Sequence, residues 1–271
     1  MHGTSPRILA AAIVSGSLTF GAWERESAAQ DFGIGPQKET TLTTSRVGVE
    51  TAWASFDQQG VQGDYFGVTV RGDLKLAKNV GLRLLVPMYE IQLAGQSANL
   101  GFGDAELRVR ILIFEGHPWR LYGGLADQLP TGDTAAGLGQ GGSQLSPFLT
   151  GGWRNGHVVV YASIADCIGL HPKPGPGKPA PNDYVDPSYD HELRANLGLI
   201  GEVSDSFYLS AALTGITDLD PGNAGTSLLS GGLALGYLVS ESFKVVMFGL
   251  APFAGEHRFD EKIGLNAYLY F

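Results

Sequence analysis

The residues that could carry chemistry fall into a few groups. Gly137, Gly139 and Gly142, in "GLGQGG", satisfy the G-x-G-x-x-G spacing of a dinucleotide phosphate cradle. Such a cradle needs a strand that hands over to a helix, because the helix N-terminus supplies the anion site. Pro147 stands where that helix would run, and Gly151-Gly152 follow. A glycine-rich loop is expected instead of a nucleotide site. A second group is His191 beside Asp190, with Asp218 and Asp220 on a neighbouring segment. It is the best constellation here for a hydrolase. A serine hydrolase would need a histidine held beside its serine by a third group. His117 and His157 fall in tight turns, and His171 falls in a proline-rich loop. No catalytic residue is therefore assigned. The run Asp218-Leu219-Asp220-Pro221-Gly222-Asn223 lacks the full calcium-loop pattern and reads as a turn. A single cysteine, Cys167, leaves no internal disulfide and no multi-cysteine metal site. No cofactor or metal is expected.

The third group is the most informative. In "FGDAELRVRILI", Asp104, Glu106, Arg108 and Arg110 occupy one parity, and Ala105, Leu107, Val109, Ile111 and Ile113 the other. Alternation with period two is a strand with one polar and one apolar face. The same face logic places Arg71, Asp73, Arg83, Glu192 and Arg194 with the polar set, and Val68, Val70, Leu74 and Leu76 with the apolar one. In a soluble sandwich the two faces are solvent and core. In an outer-membrane barrel they are lumen and lipid.

The connections choose between them. Strands are expected near residues 43–56, 65–77, 80–93, 102–114, 119–128, 144–154, 157–166, 191–202, 206–217, 226–239, 243–253 and 259–271. Even-to-odd links are tight: Lys78-Asn79, Glu115 to Pro118, Asn155-Gly156, Val203 to Asp205 and Ser240 to Ser242. Odd-to-even links are mostly longer: 57–64, 94–101, 129–143, 167–190 and 218–225. Short periplasmic turns alternating with long extracellular loops are the mark of a bacterial outer-membrane barrel. The fold class expected is all-β, an antiparallel transmembrane β-barrel of about 12 strands.

The ends agree. Arg7, an uncharged apolar stretch from Ile8 to Ala22 and the small residues Ser27-Ala28-Ala29 read as a secretory signal. Residues 1–29 are expected to be the signal peptide and 30–271 the barrel. The last strand ends "KIGLNAYLYF", with Ile263, Leu265, Ala267, Leu269 and Phe271 on one face. A terminal aromatic of this kind resembles the signal read by the barrel-assembly machinery. Expected partners are outer-membrane lipid, that machinery through Phe271, and a small-molecule solute. The net charge of −9 argues against nucleic acid. The location expected is the outer membrane of a Gram-negative bacterium.

Twelve strands set a bore between the filled eight-stranded and the open sixteen-stranded barrels. The expected lumen has one charged wall, with Arg71, Asp73, Arg83, Asp104, Glu106, Arg108, Arg110, Glu192 and Arg194 along the solute path. The other wall, with Ser163, Ser210, Thr214 and Ser230, is smooth and weakly polar. Arg108 and Arg110 are expected to pair with Asp73, Asp104 or Glu106, and are the candidates for holding a carboxylate or phenolate.

Three motifs lie in the middle third of the chain: Gly103-Asp104-Ala105-Glu106-Leu107, Leu129-Pro130-Thr131-Gly132-Asp133, and the glycines from Gly137 to Gly142. With them the chain resembles the outer-membrane proteins grouped under "meta-pathway of phenol degradation". The resemblance implies a β-barrel channel that admits small hydrophobic or aromatic compounds. Pro130, Thr131, Gly132, Asp133, Gly137, Gly139 and Gly142 would form its extracellular mouth loop. A plugged barrel with a structural, adhesive or sensing role stays open as the alternative.

Overall fold

The structure, a computed structural model, describes residues 45–58, 61–170, 190–219, 227–255 and 259–271. The expected signal peptide, the proline-rich stretch with His171, and Asp220 lie outside these residues.

Alternating residues dictate long strands, and the strands are β1 (Arg46–Gln58), β2 (Val61–Ala77), β3 (Val80–Leu93), β4 (Asn99–Phe102), β5 (Ala105–Gly116), β6 (Trp119–Leu129), β7 (Ser143–Asn155), β8 (Val158–Leu170), β9 (His191–Glu202), β10 (Phe207–Asp218), β11 (Ser227–Ser240), β12 (Phe243–Gly255) and β13 (Glu261–Tyr270). Each pairs antiparallel with its neighbours. β1 pairs with β13 as well as β2, and β2 pairs with β3, so the sheet closes on itself. β4 and β5 both pair with β3, end to end, so thirteen strands make a barrel of twelve staves. The expected single strand over 102–114 is thus broken at Gly103-Asp104. The expected long loop over 57–64 is mostly strand: Asp57 faces Gln62 and Gln58 faces Val61.

Parity of burial follows parity of sequence. Val47, Val70, Leu84, Val109, Leu197, Leu233 and Ile263 point outward and are exposed. These are the lipid-facing residues of a transmembrane barrel. Slipping β5 by one residue would turn Arg108 and Arg110 into that face, so register is strongly fixed. Aromatics gather at the end of the tight turns. Trp119 faces Trp153, Phe207 faces Tyr237, and Phe243 and Phe271 lie nearby in the chain ends of β12 and β13. Trp53 lies away from that girdle, opposite Phe66 and Ile263.

Large inward rings need room, and glycines supply it. Tyr268 lies opposite Gly48, Tyr89 opposite Gly67, Tyr161 opposite Gly198 and Tyr208 opposite Gly236. In each pair the ring occupies the space a Cβ on the glycine would take. The rings therefore lie flat against the wall, the aromatic-rescue arrangement of sheets.

Candidate functional site

The inner face carries the site. β1, β2, β3 and β5 alternate charged and apolar residues, so their charges must enter the lumen or enter lipid. Asp73 on β2 gathers three guanidiniums. Arg46 Nε donates to it at 2.5 Å, Arg71 Nε at 2.8 Å and Arg83 Nε at 2.5 Å. Arg110 Nη2 stands 3.9 Å away. Arg71 also donates to Glu50 at 2.9 Å, and Tyr268 donates to the same carboxylate oxygen at 2.8 Å. Arg46, Arg71, Asp73 and Arg83 are 0% exposed. Charges so placed are tolerable only when paired.

The wall continues on both sides. Arg108 Nε donates to Glu106 at 3.1 Å, and its guanidinium lies 4.7 Å from the centre of the Phe148 ring. Lys262 Nζ donates to the Tyr65 hydroxyl at 2.5 Å. Lys244 Nζ sits among the rings of Tyr208, Tyr268 and Tyr270, 5.5–5.6 Å from each centre. Ring faces attract cations by their quadrupole, so these tyrosines share in holding the charge.

In the closed ring of staves β9 lies diametrically opposite β2. Glu192 and Arg194 form their own buried ion pair there, apart from the Asp73 cluster. Beside them runs the weakly polar wall. Ser163, Asn196, Thr214 and Ser230 are successive cross-strand neighbours over β8 to β11. Asn196 Nδ2 donates to Ser163 at 3.3 Å, and Thr214 donates to Asn196 Oδ1 at 2.5 Å. The inner face also carries a buried cluster that includes Tyr122, Tyr161, Tyr208, Phe248 and Tyr268.

The glycine-rich loop between β6 and β7 has a definite build. Asp133 caps a single 3-10 turn, Thr134–Ala136, and Gly137 ends it with φ 74°. A left-handed residue at that place favours glycine. A strand follows, not a helix, so the nucleotide cradle is excluded by geometry. Asp104, expected among the lumen ion pairs, is instead turned to this loop. Its Oδ1 accepts from the Gly132 amide and its Oδ2 from the Gln140 amide, both at 2.8 Å. Thr131 Oγ1 accepts from the Ala105 amide at 2.8 Å and donates to the Gly103 carbonyl at 3.1 Å. A Cβ on Gly139 would stand 2.8 Å from both Asp104 Oδ1 and the Gly132 Cα. So clamped, the loop turns inward. Leu138 is buried among Phe56, Tyr65, Tyr89, Ile91 and Leu93. Gly142 is also buried, while Pro130 stays exposed.

The constellation weighed for a hydrolase is not assembled among the described residues. His191 Nε2 lies 2.7 Å from Asp166 Oδ1, and both side chains are partly exposed on the outward parity of their strands. Asp218 is buried on the inward parity. The sheet separates the two. Among the described residues no group of three or more metal-ligating side chains occurs.

Of the expected lumen residues, Arg71, Asp73, Arg83 and Arg110 meet in one cluster and Arg108 joins Glu106 beside it. Arg46, Glu50, Lys262 and Tyr268 complete that wall, as their parity implies. Lys244 and the aromatic fill are the additions. Lys244 gives no parity signal, because its inward companions Val246, Phe248 and Leu250 are as apolar as the lipid face.

No family model matches the chain, and no curated protein matches it in sequence. Solved structures do match in fold. An outer membrane channel from Pseudomonas putida F1 superposes with a TM-score of 0.65 at 14% identity, over 86% of this chain and 97% of that one. The NanC porin follows at 0.56 and 9% identity, over 83% and 99%. The KdgM porin, solved in complex with disordered oligogalacturonate, gives 0.53 and 8% identity, over 84% and 99%. At these identities the likeness establishes the outer-membrane barrel fold.

Proposed function

We propose that this chain is an outer-membrane channel that passes small hydrophobic or aromatic solutes. One observation carries the reading. The inner face holds a buried cluster of rings that includes Tyr122, Tyr161, Tyr208, Phe248 and Tyr268, and the guanidiniums of Arg46 and Arg71 lie over Tyr268. A lumen of π-faces and cations suits a solute with a π-face of its own. The loop that turns inward at Leu138 takes up part of the lumen, which suits small solutes over bulky ones. The resemblance of the "GDAEL" and "LPTGD" motifs to the phenol meta-pathway group supports the aromatic class. The fold likeness to channels and porins supports transport. In this reading the tight turns face the periplasm and the long loops the outside. Residues 1–29 direct export, and Phe271 is read by the assembly machinery.

The test uses a Gram-negative host stripped of its general porins. Expression of the chain should speed uptake of labelled phenol and leave uptake of a sugar unchanged. Equal phenol uptake with and without the chain would overturn the proposal. A second reading, a closed barrel whose charges are purely structural, is favoured by the solvent-inaccessible Asp73 cluster. That reading predicts no uptake of either solute.

A further inference from the structure

The lumen is basic although the chain is acidic. Among the described residues, the buried ionisable side chains of the inner face are eight cations and four carboxylates. The whole chain carries a net charge of −9. The excess is one-sided, because Glu192 and Asp218 accompany Arg194 on the far wall. On the near wall one carboxylate, Asp73, serves Arg46, Arg71 and Arg83, with Arg110 standing close by.

The sharpest feature is a like-charge pair. Arg83 on β3 and Arg108 on β5 are direct cross-strand neighbours, and both are buried. Like charges in that relation repel. Arg83 leans to Asp73 and Arg108 to Glu106. Fields of one sign are focused by the low-dielectric wall of a barrel. Rings of Arg and Lys select anions in pores.

We propose that the lumen selects anions, through the field that the cations of its near wall set up along the bore. This rests on the channel reading above and adds the charge class of the solute.

The experiment is bilayer recording of the purified barrel across a KCl gradient. The reversal potential should show a several-fold preference for chloride over potassium. In Arg83→Gln/Arg108→Gln the preference should fall towards unity. Lys244→Met serves as the second variant, since an apolar chain of similar volume suits the Tyr208, Tyr268 and Tyr270 cage. It should also weaken the chloride preference. A conducting barrel that prefers potassium, or ignores both sets of substitutions, overturns the inference and spares the channel. A silent barrel overturns the channel reading and this inference with it.

Discussion

Asp73 is the carboxylate on which three guanidiniums converge, and Asp104 is the one that holds the mouth loop. Replacing Asp73 by Asn leaves Arg46, Arg71 and Arg83 without their shared counter-charge. Breaking a buried ion pair from one side costs about 3–5 kcal/mol. Urea unfolding of the refolded barrel should show a loss of that size for Asp73→Asn. Asp104→Ala removes the acceptor of the Gly132 and Gln140 amides. A buried donor left unpaired costs about 1–3 kcal/mol. The loop should then become open to protease between Gly132 and Gly142 while the barrel stays folded, as read by cleavage of the unheated protein. The inward set on β5 was legible because charge and hydrocarbon alternate there without a break. The turn of Asp104 to the loop was not, since parity gives a face and not a partner. Lys244 was hidden for the related reason that its inward neighbours are apolar.

At the scale of elements, strand number and the sorting of turns were readable from hydrophobic period and from dipeptides such as Asn155-Gly156. The split between β4 and β5 was not. It depends on the loop over 130–142 folding back onto Phe102, whose carbonyl accepts from the Asp133 amide at 3.0 Å. The strand pairing within 57–64 was not legible either, because Asp57, Gln58, Gln62 and Asp64 are polar and Gly63 stands among them, a composition that resembles a loop. The Tyr–Gly pairs also lie beyond a one-dimensional reading, since each joins residues on different strands. They make a sharp prediction. Gly198→Val would drive its side chain into the Tyr161 ring, whereas Gly215 and Gly201 face open space. Gly198→Val should fold poorly or lose stability by about 1–3 kcal/mol, as overpacking does. Gly215→Val should match the parent. Midpoints of unfolding for the two variants, compared side by side, check this.

For the whole molecule, the closed ring leaves no strand edge, and the outward face is hydrocarbon from stave to stave. That face is a statement about lipid. Leu233 is 69% exposed near the middle of β11. An arginine at the bilayer midplane costs about 2–4 kcal/mol. Leu233→Arg should lose that much when the barrel is refolded into vesicles, and far less in a detergent that lets the side chain reach water. The lumen raises the larger question, because aromatic cluster, arginine wall and inward loop all project into it. Whether ions traverse the lumen is the central claim. Single-channel recording of the refolded barrel in planar bilayers tests it most directly. The account predicts discrete, small, reproducible conductance steps on insertion. A folded, inserted barrel that stays electrically silent would contradict it.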